Sequence, residues 1–282
     1  MTKPTSPSTR NIIAKTRGQR HGPVTRVVSP GDIGELTKPF VFLDYFDFLP
    51  ADISMFPIHP HSGIATVSVL LQGELSYEDS TGATGVLSGG SVEWMLAGNG
   101  VWHAGGPASL LRVLGYQIWV ALPPELENSI AESQYFSQST IPQAGPARIV
   151  LGSYEGVHSN VKAPRGMNLL HVHLSTGQRW RYQPPMGHTV AWAHVNQGGL
   201  LVSDHLLSNE MAIFSESQDA IEFVAQSEAD FIIASAVKHP HPLILGRYSV
   251  HTTHEALERG EAEIERLGAQ IRVERHLRKQ NI

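Results

Sequence analysis

Three histidines in the first half of the chain have the spacing of a metal site. The stretch "FPIHPHSG", residues 56–63, sets His59 and His61 on either side of Pro60, and "AGNGVWHAGG" supplies His103 further along. Side chains at i and i+2 of an extended segment point to one face, and hairpin-linked strands become neighbours, so the three rings can converge. Imidazole nitrogens suit Zn, Fe, Cu, Ni or Mn, and three of them leave positions open for water, substrate or dioxygen, as in a catalytic site.

A purely structural role for His59 and His61 stays open, because the chain holds 15 histidines and two imidazoles can also cap loops. The absence of cysteine restricts metal ligands to His, Asp, Glu or water and excludes disulfides and a cysteine nucleophile. The sequence holds neither a GxSxG elbow nor a glycine-rich phosphate loop between a strand and a helix, which argues against hydrolases and nucleotide enzymes.

The charge balance and the hydropathy limit the partners. The sequence has 21 Lys and Arg against 26 Asp and Glu, a net charge of -5, so we expect no direct nucleic-acid partner. The first 20 residues are polar, and no stretch approaches the roughly 20 apolar residues that span a bilayer. We therefore expect a soluble, cytoplasmic protein with no membrane partner.

The elements that must position the histidines are short strands. Residues 40–122 are β-like runs cut by glycine turns, residues 123–147 are a polar connector with a helical turn at most, and residues 147–236 repeat the strand rhythm. The repeated rhythm without repeated letters leaves an internal duplication open. Near the end, Thr252 precedes Glu255 by three positions, a capping-box pattern that predicts a helix, which we expect to pack on the second β-rich half.

These motifs resemble one family. The run "PFVFLDYFDF", then "FPIHPHSGIATVSVLLQGELSYEDSTG" and "GGSVEWMLAGNGVWHAGGP", is similar to the N-terminal domain of the pirin family of the cupin superfamily. "QIWVALPP" and "GRYSVHTTHEALERGEAEIE" also resemble pirin segments. The similarity is strong over residues 40–124 and weak through the second half.

The resemblance implies an all-β bicupin, in which two double-stranded β-helix (jelly-roll) barrels face each other. The N-terminal cupin domain would cover residues 11–135 and hold the metal site, and the C-terminal cupin domain, with a short terminal helix, would cover residues 136–282. The family's first three ligands fall on His59, His61 and His103. The implied cofactor is one divalent transition metal, with Fe(II) expected first and Ni, Mn, Cu or Zn as alternatives.

The chain departs from the family at the expected carboxylates. The family's fourth ligand, a glutamate, falls on Gly105, and a second glutamate usual in such domains falls on Ala65. Three neutral imidazoles leave the full charge on the ion, so we expect weaker binding or a different metal preference. The open position is left for water or for another residue such as Glu93 or Glu78.

The resemblance implies two functions of different classes. Some pirin-like proteins are similar to quercetin 2,3-dioxygenase, so the first hypothesis is an oxidoreductase that opens a flavonol or related enediol with dioxygen. Its partners would be a small aromatic substrate and dioxygen, and its pocket is predicted from residues beside the ligands: Phe56, Trp94, Met95, Trp102 and Gly105. The alternative is a non-catalytic, redox-sensing regulator with a protein partner, or a cupin that only binds a ligand.

A second metal site is left open on weaker grounds. "LLHVHLS" sets His171 and His173 at the same spacing, with His188, His194 and His205 as further donors, but no GxxH follows at the right distance. "KHPHP", with His239 and His241, lies in a proline-bounded loop. We expect structural roles for both sets.

Overall fold

The computed structural model describes residues 10–51 and 56–280, in which strands dominate. The first half contains β1 (Ile12–Thr16), β2 (Gln19–His21), β3 (Val24–Val28), α1 (Gly34–Thr37), β4 (Phe40–Phe48), β5 (Phe56–His61), β6 (Ile64–Gln72), β7 (Glu74–Asp79), β8 (Thr84–Ser88), β9 (Val92–Leu96), β10 (Val101–Pro107), β11 (Val113–Ala121) and β12 (Glu132–Phe136).

The second half is organised in the same way and ends in a helix. It contains a 3₁₀ turn (Gln138–Thr140), β13 (Gln143–Ala144), β14 (Ala147–Leu151), β15 (Ser153–Tyr154), β16 (Val157–His158), β17 (Met167–Leu174), β18 (Arg179–Tyr182), β19 (Val190–Gln197), β20 (Leu200–Val202), β21 (His205–Leu207), β22 (Glu210–Phe214), β23 (Ile221–Ala225), β24 (Ala229–Ala236), β25 (Ile244–Leu245), β26 (Val250–His251) and α2 (His254–Gln280).

The chain divides into two compact units. The first, called here the first barrel, comprises residues 20–35, 39–140 and 239–282. Its seven-stranded sheet has the order β12-β9-β6-β11-β4-β3-β2, and its four-stranded sheet has the order β5-β10-β7-β8. Apolar side chains of both sheets meet in one cluster that includes Phe46, Leu70 and Leu87. Alternation along each strand therefore puts one face of each sheet into a shared interior.

Of the described residues, the second barrel comprises those up to residue 19 together with residues 36–38 and 141–238. Its seven-stranded sheet has the order β1-β22-β19-β24-β17-β14-β13, and its four-stranded sheet has the order β18-β23-β20-β21. Each strand position has a counterpart in the first barrel: β18 corresponds to β5, and β23 corresponds to β10. The all-β prediction of two barrels is confirmed, and the repeated strand order is a duplication that the letters alone do not reveal.

Elements near both ends of the chain pack in the barrel that is formed mainly by the other half of the sequence. Strand β1 pairs with β22 in the second barrel. Helix α2 contacts β10 of the first barrel, where Trp102 Nε1 donates to the Ile264 carbonyl at 2.9 Å. The prediction that the helix packs on the second β-rich half is therefore wrong, because the periodicity of a helix reports its apolar face but not which surface covers it.

Two local predictions also need correction. The connector contains an edge strand, β12, which pairs with β9, as well as the 3₁₀ turn. Helix α2 begins one residue later than the capping pattern predicts, because the Thr253 hydroxyl accepts the Ala256 N–H at 3.1 Å while Thr252 Oγ1 donates to Glu127. Within residues 10–51 and 56–280, no helix is both long and apolar enough to cross a membrane.

Candidate metal centre

Two neighbouring strands position the three histidines. His59 and His61 lie on β5, where the period of an extended strand puts them on one face. His103 lies on β10 directly opposite His59 in the antiparallel register. Directly opposed residues of antiparallel strands share a face, so the three rings point into the interior of the first barrel. The convergence predicted from sequence is what the register produces.

The distances between the rings fit a single ion. One nitrogen from each ring lies within 4.8 Å of the others, and His59 Nε2 is 3.0 Å from His103 Nε2. Two nitrogens each about 2.1 Å from one metal and at right angles would be about 3.0 Å apart. Among the described residues, these three histidines are the one group of three or more possible metal ligands that lie close together.

Backbone carbonyls fix the orientation of two rings. His59 Nδ1 lies 2.8 Å from the Pro57 oxygen, and His61 Nδ1 lies 3.0 Å from the Tyr248 oxygen. A carbonyl only accepts, so each neutral ring must donate its Nδ1–H and leave the Nε2 lone pair free. Both Nε2 lone pairs are thus free to bind a cation. The donor set and its outer hydrogen bonds therefore fit a transition metal.

Burial keeps the rings neutral. Desolvation lowers the pKa of His61 to about 3, with a smaller contribution from the neighbouring His59. Desolvation also lowers the pKa of His59, and it lowers that of His103 well below its usual range. Neutral imidazoles are the form that binds metal, so protons compete for these nitrogens only under acidic conditions.

A backbone oxygen occupies the space that a side chain at Gly105 would need. A Cβ built on Gly105 would lie 2.6 Å from the Ser76 carbonyl oxygen of β7, closer than real Cβ atoms approach. The pairing of β10 with β5 also shifts register between His103 and Gly105. Strand β7 therefore leaves no room for a side chain at the position where the resemblance places a glutamate ligand.

The two carboxylates considered as replacements lie outside the group of three. Glu93 projects into the same interior but hydrogen-bonds Ser68 Oγ at 2.6 Å, and Glu78 sits opposite Ala104 on β7. Neither joins the three histidines within 4.8 Å. Ala65, the position of the other expected glutamate, is fully buried.

A cavity of about 330 Å³ opens beside the histidines. The side chains of Phe42 and Trp119 stack on its wall with ring centroids 4.0 Å apart, and Trp119 meets His61 edge-on at 4.9 Å. Arg247 and Tyr248 also line it. The volume lies at the lower end of the range of small-molecule pockets, roughly 300–1,000 Å³, and suits a compound of one to three rings.

Two of the predicted pocket residues line this cavity and three do not. Phe56 and Gly105 are on its wall. Met95 is completely buried in a core cluster with Ile64 and Val101. Adjacent residues on a strand point to opposite faces, so Trp94 turns away from Glu93, and Trp102 turns away from His103 towards α2. For these three residues, closeness in sequence to a metal ligand did not predict a position on the cavity wall.

Sequence reasoning missed Trp119 and Tyr248, which come from β11 and from the loop before β26. Only strand register brings such distant residues together. A family pattern was the available hint, since "QIWVALPP" and "GRYSVHTTHEAL" contain both residues.

A buried polar group anchors the segment that carries Tyr248. Ser62 Oγ lies 2.9 Å from His251 Nε2, and His251 Nδ1 lies 3.4 Å from Glu127 Oε2. Glu127 also accepts the Thr252 backbone N–H at 2.6 Å. The order serine, histidine, acid matches a catalytic triad, but Ser62 is 0% exposed, so the group holds β26 in place instead of attacking a substrate.

The other histidines have different surroundings. His171 bonds Asp230 at 2.8 Å and His173 bonds Glu228 at 3.0 Å. His188 hydrogen-bonds Ser235 at 2.9 Å, and burial lowers the pKa of His194 to about 3. Neither these residues nor His205, His239 and His241 form a second group of three among the described residues.

Comparison with known proteins identifies the domain. Residues 22–120 match the family model described as Pirin. A Pseudomonas aeruginosa protein, whose name gives quercetin 2,3-dioxygenase as a provisional activity, is 29% identical over 238 residues, covering 79% of this chain and 83% of its own length.

Solved structures share the fold. A quercetin 2,3-dioxygenase from Acinetobacter baumannii superposes with a TM-score of 0.83 at 23% identity, covering 92% of this chain and 98% of that one. A bacterial pirin from Escherichia coli, YhhW in complex with nickel(II), has a TM-score of 0.63 at 19% identity, covering 78% and 94%. The predicted resemblance to the pirin family is confirmed by the match of residues 22–120 to the Pirin family model, and the solved structures share the fold.

Proposed function

We propose that this chain is a metal-dependent dioxygenase of the quercetin 2,3-dioxygenase type, which opens a flavonol or related enediol with dioxygen. His59, His61 and His103 would hold one divalent transition metal, with Fe(II) as the first candidate. The observation that carries the proposal is the convergence of three neutral imidazoles on the wall of a cavity large enough for an aromatic substrate. The provisional activity named for the Pseudomonas aeruginosa relative supports the same reaction class.

The protein's own contribution is to orient the substrate and exclude water. The stacked pair Phe42 and Trp119 offers a flat apolar wall beside His61, against which an aromatic ring can lie. When bound, the metal would supply Lewis acidity that increases the acidity of a coordinated enol. Arg247 and Tyr248 border the cavity and would limit the shape of what enters.

Metal analysis and oxygen uptake test this proposal. Purified protein reconstituted with Fe(II) should hold about one equivalent of metal and consume oxygen when quercetin is added. His61→Ala should lose both properties, whereas His239→Ala, in the loop before β25, should retain them. Less than about 0.1 equivalent of any transition metal after reconstitution would contradict the proposal, as would metal-loaded protein that consumes no oxygen with any flavonol or enediol tested.

A non-catalytic, redox-sensing role is the second candidate, because the site lacks a carboxylate. Gly105 stands where the resemblance places a glutamate, and Ser76 O fills the space. An all-histidine set offsets less of the charge on a divalent ion than a set with a carboxylate, which would weaken binding and make the occupancy of the site easier to change. Loaded protein that is inert towards dioxygen, yet binds a protein partner differently after oxidation, would favour this role. A cytoplasmic location belongs to both proposals.

A further inference from the structure

A row of polar side chains crosses the seven-stranded sheet of the first barrel. In the antiparallel registers Glu93 lies opposite Ser68, Ser68 opposite Gln117, Gln117 opposite Asp44 and Asp44 opposite Arg26. Directly opposed residues project to one face of a sheet, and all five line the cavity. The cavity therefore has a polar wall as well as the metal centre.

Apolar rows flank the polar one. Two positions along β4 and β11 in one direction are Phe42 and Trp119, which stack on each other. Two positions along β4 in the other direction is Phe46, which also lines the cavity. An aromatic ring held between these side chains would present its edge to the polar row.

The two ends of the row differ in charge. Arg26 and Asp44 form a two-pronged ion pair, in which Arg26 Nη2 lies 3.0 Å from Asp44 Oδ2, so the guanidinium is already neutralised. At the other end, Ser68 Oγ lies 2.6 Å from Glu93 Oε2 and 2.9 Å from Gln117 Oε1. This second end is uncharged if Glu93 carries a proton.

With Gln117 Oε1 turned towards Ser68, a count of hydrogens favours a protonated Glu93. The Ser68 hydroxyl has one hydrogen but faces two acceptor oxygens. Both contacts become hydrogen bonds if Glu93 donates to Ser68 Oγ and Ser68 donates to Gln117. Burial raises the pKa of Glu93, which agrees with this arrangement, although the bond to Ser68 acts in the opposite direction.

The middle of the row holds a buried amide nitrogen without a partner. Gln117 Nε2 has no hydrogen-bond partner among the described residues. If the amide were turned, Ser68 would bond the nitrogen and the oxygen would be left unpaired. Either orientation leaves one polar atom of Gln117 unsatisfied, and an unsatisfied buried group is costly. Gln117 lines the cavity, so a small rotation of its side chain would bring the amide to a ligand oxygen or hydroxyl that satisfies it.

We infer that Glu93, Ser68 and Gln117 form a hydrogen-bonding subsite that selects aromatic substrates carrying a hydroxyl or carbonyl group on the ring edge away from the metal. Gln117 would contact that group directly, and Glu93 would position Gln117 through Ser68. The subsite itself would disfavour carboxylate and phosphate groups, because Arg26 is ion-paired with Asp44 and Glu93 is a buried acid. Arg247, elsewhere on the cavity wall, does not belong to the subsite. The inference rests on the proposed function in two respects: both concern the same substrate, and the substrate is bound to metal-loaded protein.

Two flavonols that differ only in ring hydroxyls test the subsite. Quercetin and 3-hydroxyflavone share the metal-binding edge, so the ratio of their affinities for the metal-loaded protein isolates the remaining hydroxyls. Titration calorimetry should show that wild type prefers quercetin. Gln117→Met, which keeps the volume but not the amide, should lose about three- to tenfold in quercetin affinity and little in 3-hydroxyflavone affinity.

Glu93 gives a second, independent arm of the same experiment. Glu93→Gln keeps a neutral hydrogen-bonding group and should retain the preference, whereas Glu93→Leu should reduce it by a similar factor to Gln117→Met. The exposed Gln143→Met in the second barrel is the matched control and should change neither affinity. Metal content and circular dichroism establish that each variant is folded and loaded.

The outcomes separate this inference from the proposed function. Loaded protein that prefers quercetin but consumes no oxygen would contradict the dioxygenase proposal and leave the subsite standing. Equal losses for both flavonols in Gln117→Met would overturn the subsite, as would a loss in Glu93→Gln as large as in Glu93→Leu. Failure of quercetin and of simpler phenols to bind loaded protein would overturn it as well.

Discussion

The two barrels share a strand order but fill the same positions with different chemistry. In the first, His59 on β5 lies opposite His103 on β10. In the second, the counterpart strands β18 and β23 place Trp180 opposite Phe223. Equivalent topology therefore presents an imidazole pair in one barrel and an aromatic pair in the other. The side chains at these positions, not the fold, decide whether a metal centre is present.

The interiors differ accordingly. Trp180 stacks near Phe223, with centroids 5.6 Å apart, and donates to the Tyr154 hydroxyl at 2.9 Å. These residues belong to one large core cluster of the second barrel. In the first barrel the corresponding region is a cavity of about 330 Å³. Large aromatic side chains remove the space that a ligand would need, whereas the histidines leave it open.

The second half also shows that histidine spacing alone is a weak signal. His171 and His173 have the same i, i+2 spacing as the first pair, but they lie on β17, the counterpart of β4 and not of β5. Their partners are carboxylates on or beside β24. An HxH motif needs the right strand and a third histidine on the neighbouring strand.

The largest loss of stability should come from removing a large side chain from the core of the second barrel. Trp180→Ala removes a buried indole at the centre of the second core and should lower the free energy of unfolding by about 3–5 kcal/mol. Trp119→Ala borders an existing cavity and should cost less than half as much. Urea unfolding followed by far-UV circular dichroism measures both, and equal costs would contradict the contrast between the barrels.

The second effect concerns the metal itself. His61→Ala removes a buried donor and should weaken metal binding by more than about 100-fold, beyond the 10- to 100-fold typical of losing an outer-shell partner. His171→Ala, in the other HxH pair, should leave metal affinity unchanged. Competition titrations with a chelating dye give both values. A comparable loss in His171→Ala would place metal in the second barrel.

The third effect is the pH dependence of stability that comes from a buried histidine outside the metal centre. Burial lowers the pKa of His194 in the second barrel to about 3, against about 6.5 in an unfolded chain. The unfolded state therefore binds more protons, and this stabilisation is full above pH 6.5 and is lost as the pH falls. Between pH 6.5 and 5 the loss should be about 1.5–2 kcal/mol.

The variant His194→Gln isolates that contribution. Its unfolding free energy should fall less steeply than that of wild type over the same pH range, whatever its stability at neutral pH. Urea unfolding at half-unit pH intervals gives the two slopes for metal-free protein. Parallel slopes would mean that His194 does not set the acid sensitivity of the second barrel.

The sequence was sufficient for features that depend on local spacing. The two-residue period of a strand puts His59 and His61 on one face, and the pairing of β5 with β10 then brings His103 to them. The family resemblance supported His103 as the third member. The all-β class follows from short runs cut by glycines. The all-β class and the shared face of His59 and His61 need no knowledge of which distant strands pair, whereas the approach of His103 depends on that pairing.

Features that depend on register could not be predicted. Trp119 and Tyr248 reach the cavity from remote segments, whereas Trp94 and Trp102, next to the expected site in sequence, point to the opposite faces of their strands. The crossing of α2 to the first barrel depends on a surface that periodicity does not specify. The close approach of Ser76 O to Gly105 is likewise visible only when β7 and β10 are paired.

That approach leads to the smallest expected effect. In Gly105→Ala the new methyl group would meet the Ser76 oxygen at 2.6 Å, a backbone atom that cannot rotate away, so β7 or β10 must shift. Overpacking of this kind costs about 1–3 kcal/mol, and we expect the lower part of that range because the neighbouring cavity can absorb movement. Gly31→Ala, whose methyl would lie an ordinary 3.5 Å from Leu245 Cδ1, is the matched control and should be nearly neutral.

The same clash predicts that the missing carboxylate cannot simply be restored. Gly105→Glu would have to displace the Ser76 carbonyl before its side chain could turn to the histidines, so its metal affinity should not exceed that of wild type. Chelator competition and urea unfolding on the same preparations separate affinity from stability. Tighter metal binding with unchanged stability would show that β7 yields easily. In that case the identity of residue 105 alone would explain why the site has no carboxylate. The expected result instead means that the packing of β7 against β10 excludes a carboxylate from this position.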